Sequence, residues 1–249
     1  MRYFIAFSYF GKSYHGWQSQ PNAITVQEVL EDALSKLLRE SINVVGAGRT
    51  DAGVHAKEMF AHFDFKQDIE QEEMVFRLNA FLPDDVAVSE IFQVNKEAHA
   101  RFDATERTYE YWITQKKNPF NFERAHYVRQ MLDIDKMNAA ANLFLEHKDF
   151  ECFSKSHTDV RTYLCDVRKA VWTKDGNKLI FTISADRFLR NMVRAIVGTL
   201  LDIGIGKTSL EDVQRILKSK DRSRAGASVP AKGLYLTKIV YPKTIIKDE

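Results

Sequence analysis

Twice along the chain the spacing of apolar residues passes from period two to a helical period and back, in the same order. That pattern points to an α+β fold made of two units of one topology. Residues 2–9 place Tyr3, Ile5, Phe7 and Tyr9 on one face of a strand and Arg2, Phe4, Ala6 and Ser8 on the other. Thr25 and Glu28 then have capping-box spacing, and Val26, Val29, Leu30, Ala33, Leu34, Leu37 and Leu38 form the apolar stripe of a helix that must cover a sheet. A short strand over 42–47, a strand over 57–65, a helix from Glu70 to Phe81 stopped by Pro83, and a strand from Val86 to Val94 complete a βαββαβ order. The second half repeats it without evident sequence repetition: a strand over 107–115, a helix from Asp133 to His147, and strands over 163–173 and 178–185 around the hairpin signal Asp175-Gly176-Asn177. Helices over 187–203 and 209–219, the latter with Ser209 as N-cap, precede a last strand from Gly233 to Tyr241. The element pattern alone divides the chain near residue 104, into an N-terminal domain over 1–104 and a C-terminal domain over 105–249. No Pro-, Gly- or Ser-rich linker separates them, which predicts tight packing.

A chain of 249 residues with 45% hydrophobic content buries real cores, but its formal net charge is only +2. Attraction to a polyanion must therefore come from basic residues gathered on one face. Cys152 and Cys165 are too few for a disulfide framework and lack zinc-type spacing, which fits a reduced, cytoplasmic setting. They read as buried hydrophobes. The strand-like start and the lack of any long apolar run predict a protein without signal peptide or membrane span. The seven histidines, at 15, 55, 62, 99, 126, 147 and 157, show no metal-binding spacing.

The least generic stretch is Gly46-Ala47-Gly48-Arg49-Thr50-Asp51-Ala52-Gly53-Val54-His55-Ala56. Its small residues allow backbone conformations closed to others and let a bulky ligand approach, so that Arg49 and Asp51 are displayed between strands. Spacing alone equally admits a hairpin connection in which Asp51 caps a turn. The glycines at 46, 48 and 53 fit neither G-x-G-x-x-G nor a P-loop, so a nucleotide cofactor is not indicated.

Together with Gly16-Trp17-Gln18-Ser19-Gln20, Thr25-Val26-Gln27, Leu78-Asn79, Leu82-Pro83, His99-Ala100-Arg101-Phe102, Arg107-Thr108-Tyr109-Glu110-Tyr111, Met192-Val193-Arg194, Ile196-Val197-Gly198 and Pro230-Ala231-Lys232-Gly233-Leu234-Tyr235-Leu236, that stretch resembles the tRNA pseudouridine synthase A family over nearly the whole chain. The resemblance implies two ferredoxin-like (βαββαβ) units with antiparallel sheets, helices on one face and an RNA-binding cleft between them. It implies a homodimer that isomerises uridine to pseudouridine in the anticodon stem-loop of tRNA, at tRNA positions 38, 39 and 40. The catalytic Asp of that family falls on Asp51, the Tyr contacting the target base on Tyr109, and the Arg holding the base out of the helix on Arg49. Neither metal nor organic cofactor is expected, since breaking the glycosidic bond and rejoining uracil through C5 needs no redox step and no net hydrolysis.

Phosphate charge and desolvation would favour protonation of Asp51, so a nearby arginine is expected to keep it ionised. Arg194 is the candidate, because Arg187, Arg190 and Arg194 lie at i, i+3 and i+7 of the expected helix. Leu234 and Tyr235 are candidates to line the base pocket, with core packing the plainer reading. Lys218, Lys220, Arg222, Arg224 and Lys232 form the best linear run for phosphate contact, or else a solvated face. The segment from Cys152 to Asp166 does not map onto the family residue by residue. The competing reading is a non-catalytic RNA-binding protein on a duplicated RRM-like scaffold, which leaves Arg49-Thr50-Asp51 unexplained. A carboxylate-dependent hydrolase would want a second acid paired with Asp51, and none is singled out.

Overall fold

The computed structural model describes residues 1–155 and 160–246. In chain order its main elements are β1 (Arg2–Tyr9), α1 (Val26–Leu38), β2 (Val45–Gly46), β3 (His55–Asp64), α2 (Gln71–Phe81), β4 (Val86–Val94), β5 (Glu106–Thr114), β6 (His126–Tyr127), α3 (Ile134–Glu146), β7 (Val167–Asp175), β8 (Lys178–Ala185), α4 (Met192–Gly204), α5 (Leu210–Ser219) and β9 (Leu234–Val240). The chain is a mixed α+β protein of two compact units, Met1–Glu106 with Tyr235–Glu249, and Arg107–Leu234. Among the described residues no helix is long and apolar enough to cross a membrane.

In the first unit β1 lies between β3 and β4, antiparallel to both, with Ile5 opposite Ala61 and Ile91. Both faces of β1 are buried: Tyr3, Ile5 and Phe7 on one side and Phe4 on the other are at most 1% exposed. Phe4 meets Phe92, His62 and Tyr241. The alternation read as half-buried is therefore that of a central strand covered twice. Helix α1 buries Val26, Leu30, Ala33 and Leu34, each large aliphatic side chain contributing about 1.5–3 kcal/mol. The first three amide groups of α1, which have no partner within a helix, are all satisfied. Val26 N–H donates to the Gly16 carbonyl at 3.2 Å and Gln27 N–H to the Trp17 carbonyl at 3.0 Å. Glu28 N–H donates to Thr25 Oγ1 at 3.3 Å. The Gly16-Trp17 strip is thereby fastened to the helix start.

In the second unit β8 lies between β5 and β7, antiparallel to both. The β7–β8 hairpin turns at Gly176, whose φ of +55° suits glycine in a two-residue loop. Helix α3 packs on β7 and against α4 and α5, burying Met137, Ala140, Ala141 and Phe144. Ser209 and Asp212 form a full capping box on α5: Asp212 N–H donates to Ser209 Oγ at 3.2 Å and Ser209 N–H to Asp212 Oδ2 at 2.9 Å.

Three expectations change. The sheets are not purely antiparallel, since β9 runs parallel to β3, with His55 opposite Tyr235, and β6 parallel to β5, with Ile113 opposite His126. The residues from Tyr235 onward accordingly belong with the first 106 residues and not with the C-terminal half. Third, α4 begins at Met192, because Asn191 takes a left-handed conformation with φ +66° that a continuous helix does not admit. Arg187 and Arg190 therefore precede the helix and share no helical face with Arg194. The residues Ser156, His157 and Thr158 of the unmapped segment lie outside the described residues.

Candidate functional site

Asp51 sits, half-buried, in the loop that joins β2 to β3. The hairpin continues one residue past β2, with Ala47 N–H donating to the Phe60 carbonyl at 2.8 Å. At the far end Val54 N–H donates to the Asp51 carbonyl at 3.2 Å. The third residue of that turn, Gly53, has φ +77°, which only glycine adopts without strain. Between these ends Thr50 is held twice: its hydroxyl lies 2.8 Å from the Tyr9 hydroxyl, and its carbonyl accepts from Trp17 N–H at 3.3 Å. Gly53 N–H donates to the Tyr14 carbonyl at 3.3 Å, and Gly11 N–H to His55 Nδ1 at 2.9 Å. The last bond leaves the imidazole proton of His55 on Nε2. The loop carrying Asp51 is thus backed by residues 9–17, which are themselves fixed to β1 and α1.

That backing explains the neighbouring motifs. The Trp17 indole is 2% exposed and lies against Gly46, where an added Cβ would come within 2.5 Å of the ring. His55 is 1% exposed, stacked on Phe10 at 4.3 Å and meeting the tilted ring of Tyr235 at 4.6 Å. Tyr235 is itself only 6% exposed. Arg49 is exposed on the loop and lines a groove with Trp17, Gln18, Gly48 and Arg101.

Arg101 comes from a tight turn after β4. His99 N–H donates to Asp103 Oδ2 at 2.7 Å, Asp103 N–H to the His99 carbonyl at 3.1 Å, and Arg101 N–H to His99 Nδ1 at 3.1 Å. Ala100 at its centre donates to His62 Nδ1 at 3.1 Å and accepts from the Tyr241 hydroxyl at 2.6 Å. His62 is 5% exposed; burial first, then the charges of Arg2 and His99, lower its pKa to about 4. Folded His62 stays neutral down to that pH, while the unfolded side chain takes up its proton near about 6.5. Stability is then expected to fall as pH drops between those values and to level off below them, because there the unfolded state binds more protons. Urea unfolding of wild type and His62→Gln across this interval checks it: the variant should show a shallower decline, and identical declines would remove His62 as the cause.

In the second unit Tyr109 is half-buried on β5, opposite Ile183, with the Phe188 ring edge-on at 5.1 Å. Tyr111, two residues on, is fully buried and donates from its hydroxyl to the Pro230 carbonyl at 2.9 Å. Burial raises its pKa, and nearby Arg194 opposes the rise. Arg194, half-buried near the start of α4, donates from Nε to the Val229 carbonyl at 2.8 Å, while Val229 N–H donates to the Arg194 carbonyl at 3.2 Å. The same segment is clamped to α4 at Gly198, where an added Cβ would fall 1.8 Å from the Ala227 carbonyl oxygen. Gly226 N–H donates to Thr199 Oγ1 at 2.9 Å. The segment then passes Gly233, which lies on the Tyr111 ring, and reaches Leu234, 6% exposed at the start of β9.

The basic run resolves residue by residue. Arg222 is a loop clamp, donating to the carbonyls of Ala225 and Gly226 at 3.3 and 3.1 Å and to Ser228 Oγ at 2.9 Å. Lys220 pairs with Asp149 at 2.6 Å, Arg224 with Asp221 at 3.8 Å and Lys232 with Glu123 at 3.8 Å. Lys218 is exposed. Burial pushes the thiols of Cys152 and Cys165 up to about 12, so at neutral pH both are protonated hydrophobes. Among the described residues no three His, Cys, Asp or Glu side chains are grouped to hold a metal ion. The roles of Gly16 and Arg222 escaped sequence reasoning; for Gly16, its place between Tyr14 and Trp17 was the available signal.

Comparison with known families matches residues 5–103 and 140–242 to the family described as tRNA pseudouridine synthase. The protein named tRNA pseudouridine synthase A of Parabacteroides distasonis is 50% identical over 100% of this chain and 99% of its own length. That of Bacteroides thetaiotaomicron is 49% identical over 100% of this chain and 93% of its own length. A more distant relative of the same name, from Clostridium kluyveri, is 39% identical over 95% of this chain and 98% of its own length. With the family match spanning both units and identity sustained from end to end, the chain belongs to the tRNA pseudouridine synthase family.

Proposed function

We propose that Asp51 is the catalytic carboxylate of a tRNA pseudouridine synthase acting on uridines of the anticodon stem-loop. The reaction is the family's own: an isomerisation in which the bond from C1′ to N1 of uracil breaks, a bond from C1′ to C5 forms, the proton on C5 is lost and N1 takes one up. The observation that carries the assignment of Asp51 is its loop. Asp51 is half-buried in a loop held at both ends by backbone hydrogen bonds, beside the exposed Arg49 and on residues the family match covers, and this supports reading it as a displayed carboxylate. A lone ionised carboxylate suffices as nucleophile or base for this chemistry.

A uridine within a stem must first be extruded, at a cost of a few kcal/mol. In this reading Arg49 holds the displaced base, Tyr109 stacks on it, and Arg194 and Leu234 contact the substrate. Tyr109 suits the role because its ring is only half-buried and is steadied edge-on by Phe188. Each of the two units is read as a ferredoxin-like half. The protein is read as a homodimer on the family resemblance, as cytoplasmic on its two cysteines, too few for a disulfide framework, and as needing neither metal nor organic cofactor because the isomerisation involves no redox step and no net hydrolysis. Incubation with an unmodified tRNA transcript, followed by position-resolved pseudouridine mapping, is expected to show modification confined to the anticodon stem-loop. Binding without modification would favour the RNA-binding module, and modification elsewhere would overturn the assigned site.

A further inference from the structure

The groove beside the Asp51 loop holds Arg49 and also a second arginine, Arg101, to which the catalytic reading gives no role. Its lining includes two arginines, Arg49 and Arg101, and no carboxylate side chain. The rest of the wall combines the amides of Gln18 and Gln27, the Trp17 indole, Val44 and Val45, Gly46, and the bare backbone of Gly48, where an added Cβ would meet nothing within 4 Å. Gln18 is fixed in place, donating from Nε2 to Gln27 Oε1 at 2.7 Å. In a chain whose formal net charge is only +2, a groove with two cations and no anion is a local concentration of positive potential.

Arg101 is presented there by a rigid device. The turn from His99 to Asp103 is closed on itself by the bonds of His99 and Asp103, and tied to the sheet through Ala100, His62 and Tyr241. Arg2 adds a further tie, donating from a guanidinium nitrogen to the Ala98 carbonyl at 3.0 Å. Next to it Phe102 is 74% exposed, an unusual place for a phenylalanine in a turn so firmly held. Its ring rests on His99 at 4.3 Å, and the Arg101 guanidinium lies over it at 5.6 Å. The aromatic ring thus serves as a platform under the guanidinium, which lowers the entropy that a long side chain loses on binding.

We infer that this groove is a subsite for the sugar–phosphate backbone of the tRNA strand flanking the target uridine, with Arg101 as its phosphate-contacting residue. The inference rests on the reading of the chain as a tRNA-modifying enzyme and adds to it a backbone contact made outside the reacting nucleotide. A planar guanidinium matches phosphate oxygens two at a time. Contacts of this kind position the nucleic acid without reading its sequence.

Binding of unmodified tRNA transcript, measured as Kd across a series of salt concentrations, tests it. Arg101→Ala is expected to weaken binding about tenfold at moderate salt and to lower the slope of log Kd against log salt by about one. Arg101→Lys, which keeps the charge but not the planar fork, should retain the wild-type slope with part of the affinity. The turn is held through backbone atoms, His99 and Asp103, so Arg101→Ala should fold; if its melting shows otherwise, Arg101→Gln takes its place. Lys66→Ala, an exposed cation of the same unit and outside the groove, should change neither quantity. Wild-type slope and affinity in Arg101→Ala, or an equal loss in Lys66→Ala, overturns the subsite. If the wild type forms pseudouridine while Arg101→Ala binds normally, the subsite fails and the enzymatic reading stands. A wild type that neither binds nor modifies the transcript defeats both.

Discussion

Asp51→Asn is expected to abolish pseudouridine formation, a loss of roughly 10⁴-fold or more, while tRNA affinity stays within roughly tenfold, about 1.4 kcal/mol. The substitution changes almost nothing but charge. An asparagine has the shape of the carboxylate but can neither attack a carbon nor accept a proton at neutral pH. The backbone ties survive the change, because the closing bond from Val54 uses the Asp51 carbonyl and the next fixing points are Thr50 and Gly53. Affinity has little reason to fall, since removing a negative charge beside a polyanion relieves repulsion. Single-turnover assays with position-resolved mapping, run beside a binding measurement, separate the two quantities. Turnover within a few-fold of wild type would end the assignment of Asp51. Lost binding with lost turnover would instead make it a residue that shapes the RNA surface.

The elements were legible wherever local spacing decides them. The strand over Val86–Val94, the Thr25 cap and the Ser209 cap follow from neighbours a few residues apart, and the structure has them where the pattern puts them. What local spacing does not hold is the identity of a distant partner. Nothing in Leu234–Val240 says that it pairs parallel with β3, because a period-two strand reads the same beside any neighbour. Arg187 and Arg190 illustrate a second limit: an i, i+3, i+7 series looks helical until one residue, Asn191, turns left-handed and ends the series before Arg194. Charge runs are a third. Arg222 carries the same formal charge as Lys218, yet one clamps a loop through three hydrogen bonds and the other is exposed.

The site shows the same division between local and distant information. Glycine-rich spacing marked 46–53 as a connection between strands and left open whether Asp51 is displayed there or caps a turn; what gives that loop one shape is a set of long-range ties from residues 9–17. Tyr9 reaches Thr50 across 41 positions, and Gly11 reaches His55 across 44. Each uses a polar group that sequence alone leaves unassigned. The motif Gly16-Trp17 is therefore the second half of the Asp51 loop, brought there by the strip between β1 and α1.

Gly16 is where that dependence should be most visible. Its φ of +93° is a backbone state that disfavours any side chain, and an added Cβ would lie 2.4 Å from the Thr50 carbonyl oxygen and 3.1 Å from the Asp51 carbonyl carbon. Neither obstacle is a side chain that can swing away. The Thr50 carbonyl already accepts from Trp17, and the Gly16 carbonyl caps α1 through Val26. Relief therefore has to move either the start of the helix or the loop carrying Asp51. Gly16→Ala is expected to destabilise the protein by about 2–4 kcal/mol, lowering Tm by roughly 5–15 °C. In protein that remains folded, the single-turnover rate should drop by up to about 10²-fold, since a displacement near 1 Å at a reacting group costs that much. Gly48→Ala is the matched control: its Cβ would meet nothing within 4 Å, and its stability should stay within about 0.5 kcal/mol of wild type. A Gly16→Ala protein that melts like Gly48→Ala and turns over like wild type would show that the Asp51 loop keeps its geometry without the strip behind it.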